Sequence, residues 1–287
     1  MSFLYGYHIR VACACRRNCT IMIYHMFQIA KNLARPFRTH KYLLLQLIQR
    51  EIKARYKQSI IGYFWVLLNP LAQMLIYTFV FSMIFRFPSS IPYPAFLLAA
   101  LLPWTFFSGS LVSATNSLVG NDTLLKKVAF PREIIPYSVI VAKGIDFLFA
   151  TLIFIALLLY YQLPITSSIW MFIPLLTIQI ILTVGISLAL SAFNLFYRDI
   201  QYLANLLITV WMYLTPVVYP LSLVPKEFVW LYKLNPMVGI IEGYRSALFN
   251  FPFEYSIIIW SFWVSIIVFI LGFIVFKKLE GTFADIV

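Results

Sequence analysis

PYSVIVAKGIDFLFATLIFIALLLYY, residues 136–161, decides the fold class. A helix needs about 20 apolar residues to cross about 30 Å of hydrocarbon, and this run exceeds that with Lys143 and Asp146 as its only charges. Lipid offers no hydrogen-bond partners, so such a run satisfies its backbone only as a helix. Comparable runs flank it, at roughly 61–85 and 95–119 before it and at 168–195, 201–220 and 255–276 after it. The chain reads as an all-α integral membrane protein with six transmembrane helices. Composition agrees, because 62% of the 287 residues are hydrophobic and 11% are charged. An ordinary soluble domain is about a quarter charged, and this chain has too few charges to solvate a globule.

The net charge of +12 does not point to nucleic acid, since no basic domain with a reader motif is present. Its placement sets the expected orientation. Of 22 Lys and Arg, 11 precede residue 62. With the N-terminus inside, Lys126, Lys127, Arg132, Lys143, Arg198, Lys277 and Lys278 join them, giving 18 against four outside: Arg86, Lys226, Lys233 and Arg245. Cytoplasmic flanks carry the excess of basic residues, so both termini, including the tail 281–287, are expected in the cytoplasm.

Before the first span, residues 41–58 form an amphipathic stretch. Leu45, Ile48, Ile52 and Tyr56 share one stripe at helical spacing, with Gln46, Gln49, Arg50, Lys53 and Lys57 opposite. The expectation is an N-terminal interfacial helix lying in the headgroup region, or else a soluble helix packed on a partner. Residues 221–254 are too apolar for a solvated loop, yet their two runs are too short to cross. Asn235-Pro236 divides them, an N-cap followed by a residue favoured at the first helical position. A re-entrant hairpin between helices 5 and 6 is expected, with a surface-lying pair as the alternative. Residues 1–40 read as a cytoplasmic extension with little expected order. Cys13, Cys15 and Cys19, with His8 and His25 nearby, match no structural zinc spacing, so no metal site is expected.

Catalytic chemistry is missing from the pattern. No Gly is followed by Lys, which removes the phosphate-cradling loop, and all three His precede residue 41. No catalytic residue and no cofactor of this chain's own is expected. Lys143 and Asp146 are three residues apart and share a helix face. They read equally as a structural intramembrane ion pair or as part of a pathway. Two short polar loops hold the more informative charges. Gly120–Glu133 carries Lys126, Lys127, Phe130, Pro131, Arg132 and Glu133, and Asn194–Asp199 carries Arg198 and Asp199. Mixed charge beside aromatics suits a docking surface, although a solvated linker has the same composition.

At these residues the chain resembles the permease subunits of ABC exporters for polysaccharides, the O-antigen, capsule and teichoic-acid transporters. EIKARYKQSIIGYFW at 51–65 with Asn69-Pro70 resembles the family's entry into its first span. Leu125–Pro131 with Arg132-Glu133 is similar to its coupling loop, and Asn194–Asp199 to the close of its fourth span. Thr215–Tyr219, Leu234–Pro236 and Tyr244-Arg245 resemble its fifth span and outer hairpin. The likeness covers about residues 41–280.

The resemblance implies a homodimer in the bacterial cytoplasmic membrane, joined to two copies of a separate ATP-binding cassette subunit that holds ATP and Mg. The cargo would be a lipid-linked glycan. It assigns ATPase docking to Lys126, Lys127, Phe130, Pro131, Arg132 and Glu133, supported by Arg198 and Asp199. Arg50, Lys53, Arg55 and Lys57 suit a pyrophosphate headgroup at the site of substrate entry. Tyr63, Trp65, Tyr77, Trp211 and Tyr213 suit a translocation path on which sugars stack. The competing view of those rings is a plain aromatic belt at the membrane interface. Other readings of the whole chain are an exporter permease for a small hydrophobic drug or lipid, a membrane-embedded transferase, and a secondary carrier. Scattered carboxylates and few buried ionisable groups weigh against the last two.

Overall fold

Tyr93–Thr115 is the helix around which the others are arranged in the computed structural model of the chain, with 78% of its apolar window buried. The structure describes residues 39–56, 59, 61–84, 91–128, 130–164, 167–225 and 227–283, and among them only helices, turns and bends occur. Cys13, Cys15, Cys19, Lys57, Arg86 and Lys226 lie outside the described residues, as does the extension 1–38. All tertiary contacts described below lie within the compact unit from residue 46 onward.

The first helix, α1, is Lys41–Tyr56. Of the apolar stripe, Ile48 is buried and Leu45 is exposed, and Leu47, outside that stripe, is buried as well. A 3-10 turn at Gly62–Phe64 leads into α2, Trp65–Thr78. Gly62 opens the turn at φ +58, a left-handed conformation that glycine adopts without strain. Its N–H donates to Ser59 Oγ at 3.1 Å. Next come α3 (Tyr93–Thr115), the short α4 (Asp122–Lys127) and α5 (Ile134–Tyr160). Beyond them lie α6 (Phe172–Phe196), α7 (Ile200–Tyr213), α8 (Val229–Leu234), α9 (Pro236–Phe249) and α10 (Tyr255–Glu280).

Among the described residues, five segments are long and apolar enough to cross a membrane: Gly62–Ser82, Tyr93–Thr115, Ile134–Tyr160, Ser167–Phe196 and Tyr255–Glu280. They follow five of the six expected runs within a few residues. The expected run 201–220 is helical only over the 14 residues Ile200–Tyr213. Pro216 explains the stop. Its ring clashes with the carbonyl four residues earlier and disfavours helical backbone at Thr215.

Packing is tightest where α6 crosses α10. A Cβ added to Gly272 would lie 2.0 Å from the Gly185 carbonyl oxygen, and one on Gly185 would lie 2.5 Å from Phe269 Cα. Small residues let helix backbones touch in this way, which is how helices associate where no hydrophobic force drives them together.

Candidate functional site

Two ends of the bundle hold its polar chemistry, one at the loop 116–133 and the other at α8 and α9. At the first end, Asn194 ties two loops together. Its Nδ2 donates to Thr115 O at 3.0 Å and Asn116 Oδ1 at 3.2 Å, while its Oδ1 accepts from the Gln201 N–H at 3.0 Å. Buried Leu125 anchors α4, which leaves Lys126 and Lys127 exposed at its end. Arg198 and Asp199 are exposed beyond α6. Phe130, Pro131 and Arg132 are half-buried.

Glu133 is only 2% exposed and accepts from Lys277 Nζ at 2.6 Å. Burial raises its carboxyl above the ordinary carboxylate value, and the hydrogen bond from Lys277 opposes that rise. Of the eight residues expected to form a docking face, then, Lys126, Lys127, Arg198 and Asp199 are open, while Arg132 and Glu133 are engaged within the chain.

The basic residues of α1 differ among themselves. Arg50 bonds Asn121 Oδ1 and lies 3.7 Å from Glu51. Lys53 is exposed. Arg55 Nη1 donates to Asp146 Oδ2 at 2.6 Å, and the Tyr63 hydroxyl donates to Asp146 Oδ1 at 3.0 Å. Lys143 Nζ sits 4.0 Å from the same carboxylate. Asp146 therefore gathers Arg55, Tyr63 and Lys143 from three elements. Such partners offset the desolvation of a charge far better than one neighbour does.

The opposite end is built around an interrupted backbone. Residues 214–219 leave the helix, and side chains satisfy most of their carbonyls. Arg245, 1% exposed on α9, donates to Pro216 O at 2.7 Å and Val217 O at 2.8 Å. It also donates to Glu242 at 2.8 Å, and its guanidinium lies 3.7 Å from the Phe96 ring centre. The Tyr93 hydroxyl donates to Val218 O at 2.7 Å. Asn235 caps α9 by accepting from the Met237 N–H at 3.0 Å, as its position before proline suggested. The same oxygen accepts from Trp211 Nε1 at 2.9 Å. A cavity of about 360 Å³ opens beside α9, with Tyr93, Phe96, Glu242, Ser246, Phe251 and Glu254 in its wall.

The expected path residues do not gather in that cavity. Trp65 and Tyr213 are exposed, Tyr77 is half-buried against Phe81, and Trp211 meets Phe107 edge-on at 5.3 Å. Among the described residues, no group of three or more His, Cys, Asp or Glu is placed to hold a metal ion.

Several key residues carried little signal in the sequence. Arg245 counted as an outside charge and, with Tyr244, as part of the likeness to the outer hairpin, Lys277 counted only as a cytoplasmic charge, and Gln179, Glu280 and Phe283 carried no reading at all. The three-residue spacings Glu242–Arg245 and Lys277–Glu280 were the available clues.

Residues 42–249 match the ABC-2 type transporter family. The O-antigen export system permease protein RfbA of Klebsiella pneumoniae is 35% identical over 247 residues, 85% of this chain and 94% of that protein. RfbA of Myxococcus xanthus is 35% identical over 222 residues, 76% of this chain and 84% of its own. The polysialic acid transport protein KpsM of Escherichia coli is 28% identical over 226 residues, 74% and 83% of the two chains.

Proposed function

The chain belongs to the ABC-2 type transporter family, and from that premise we propose that it is the membrane-spanning subunit of an ATP-driven polysaccharide exporter. The cargo is a lipid-linked glycan of the O-antigen, capsule or teichoic-acid kind, moved outward across the bacterial cytoplasmic membrane. Two copies of the chain work with two copies of a separate ATP-binding cassette subunit, which holds ATP and Mg. The observation that carries this reading is the likeness to an O-antigen permease over 94% of that protein's length.

The chain crosses the membrane six times, with both termini in the cytoplasm. α7 and the non-helical residues 214–219 make the fifth crossing together. Non-helical backbone is tolerated at membrane depth where protein buries it, and the bonds from Arg245 and Tyr93 support that placement. α8 and α9 form a re-entrant hairpin. The 14 residues of α9 rise only about 21 Å, and its first half is buried. α1 lies in the inner interface.

The ATPase meets the loop end through Lys126 and Lys127, with Arg198 and Asp199 beside them. Phe130, Pro131, Arg132 and Glu133 shape that loop. Arg50, Lys53, Arg55 and Lys57 draw the lipid headgroup toward α1, with Arg50 and Lys53 exposed and Arg55 held by Asp146. Lys143 and Asp146 form the inner-leaflet ion pair to which α1 attaches. Trp65, Tyr77 and Tyr213 line the path between the two copies. Tyr63 and Trp211 stand behind, their polar atoms already bonded.

Reversing charge at the docking face tests the reading. Lys126→Glu with Lys127→Glu should lower co-purification of the ATPase about ten-fold, since like charges across an interface oppose association. Undiminished co-purification removes the docking assignment. In liposomes the chain alone should move no lipid-linked oligosaccharide on ATP addition, and the full complex should. Nucleotide-driven movement by the isolated chain would overturn the proposal.

A further inference from the structure

The loop between α4 and α5 is held at several points by the last turn of α10 and the residues after it. The backbone N–H of Arg132 donates to Glu280 Oε1 at 3.1 Å. The Arg132 guanidinium donates to the Glu280 backbone carbonyl and lies 5.8 Å from the Phe283 ring centre. Lys277 Nζ reaches both Glu133 Oε2 at 2.6 Å and Glu280 Oε2 at 2.8 Å. Lys277 thus bridges two carboxylates, and Arg132 joins the cluster through its backbone N–H to one of them and its guanidinium to a backbone carbonyl. Phe283, fully buried, meets Phe276 edge-on at 5.3 Å and Phe196 at 6.1 Å. Its ring therefore seats this segment against both α10 and the end of α6.

The loop divides accordingly. Residues 126–128 are exposed, whereas Arg132 and Glu133 are clamped. A cavity of about 410 Å³ separates the two parts, lined by Val128, Phe130, Arg132, Lys277, Glu280 and Gly281. Beyond the clamp, α10 is locked to α6 at Gly272 and Gly185, and near its other end it abuts α9. There a Cβ on Gly239 would lie 2.3 Å from Ser261 Oγ. One continuous helix, Tyr255–Glu280, thus links the loop to the buried hairpin helix.

We propose that Lys277, Glu280 and Phe283 are positioning residues, which hold the loop at the angle from which Lys126 and Lys127 meet the ATPase and pass its displacement into α10. The proposal rests on the docking role given to that loop above. Lys277 is the pivot, because its ammonium neutralises a nearly buried carboxylate and a second one together. Removal of a single partner from such a buried pair leaves the other uncompensated. The loop would then lose its hold on α10 while its exposed lysines stay in place.

The test uses the full exporter complex in liposomes and compares Lys277→Met, Lys277→Arg, Phe283→Leu and Lys127→Glu. In Lys277→Met the ATPase should co-purify at the ordinary stoichiometry, while glycan moved per ATP hydrolysed falls about five-fold, within the range seen for residues that carry coupling between sites. Lys277→Arg keeps the charge and should recover most of that ratio, and Phe283→Leu should lie between. A merely structural role would lower the amount of complex, its ATPase and its transport together, with the ratio unchanged, and that result overturns the inference. If Lys127→Glu disrupts assembly while Lys277→Met transports at the ordinary ratio, the clamp fails and the docking assignment stands. If Lys127→Glu assembles normally, the docking assignment falls and the clamp's role falls with it.

Discussion

The segments Gly62–Ser82 and Tyr93–Thr115 are closely matched in hydropathy and length, yet 11% of the apolar window of the first and 78% of that of the second is buried. On α3 the rings of Phe107, Trp104 and Phe106 pack inside the bundle. On α2 and the π-helical segment Phe79–Ile84 that continues it, Leu75, Ile76 and Phe79 face outward. Hydropathy separates lipid from water, but it cannot separate lipid from protein, because a neighbouring helix and a lipid tail are equally apolar. Burial inside a membrane protein is therefore set by which residues fit against which. In the homodimer proposed here, the outward face of α2 is available to the second copy.

Substitutions in the surroundings of α3 should be felt most. Arg245→Met leaves Glu242 and the carbonyls of Pro216 and Val217 without their partner beside Phe96, and should cost about 3–5 kcal/mol. Thermal unfolding in detergent reads this, and a melting point close to the parent's would mean that the interrupted segment does not lean on α9 and α3.

The contrast between the two helices is sharpest when one chemical change is made on both. Phe107→Ala should cost about 3 kcal/mol through the cavity it leaves. Phe79→Ala, on the outward face, should stay within about 0.5 kcal/mol for the detergent-solubilised monomer. Equal losses at both positions would erase the distinction between an inward and an outward helix. An effect between those two is expected at Gln179, which donates to Pro103 O at 2.7 Å and accepts from the Tyr244 hydroxyl at 3.0 Å. Gln179→Leu should cost about 1–3 kcal/mol, the penalty of leaving buried polar partners unsatisfied. No change on the same melting curve would show that the bonds from Gln179 to α3 and α9 add nothing to stability.

Five runs were legible because a long apolar stretch is a local property, and their expected bounds lie within a few residues of the helices. Asn235-Pro236 was legible as a helix start for the same reason, since a cap acts within three residues. The end of α7 at Tyr213 was missed although Pro216 stands in plain view, because apolar length outweighed a single breaker. Trp211 illustrates another gap. Its ring suited a sugar path, but its N–H is engaged by Asn235, which lies 24 residues away.

Composition and run length alone determined that this is a membrane protein of helices with short charged loops. Each of those properties follows from the local demand that backbone groups in lipid bond within their own segment. Only the tertiary structure decided which charges are open and which are engaged. Arg55 meets Asp146 across 91 residues and Lys277 meets Glu133 across 144, and no local pattern records pairings at that separation.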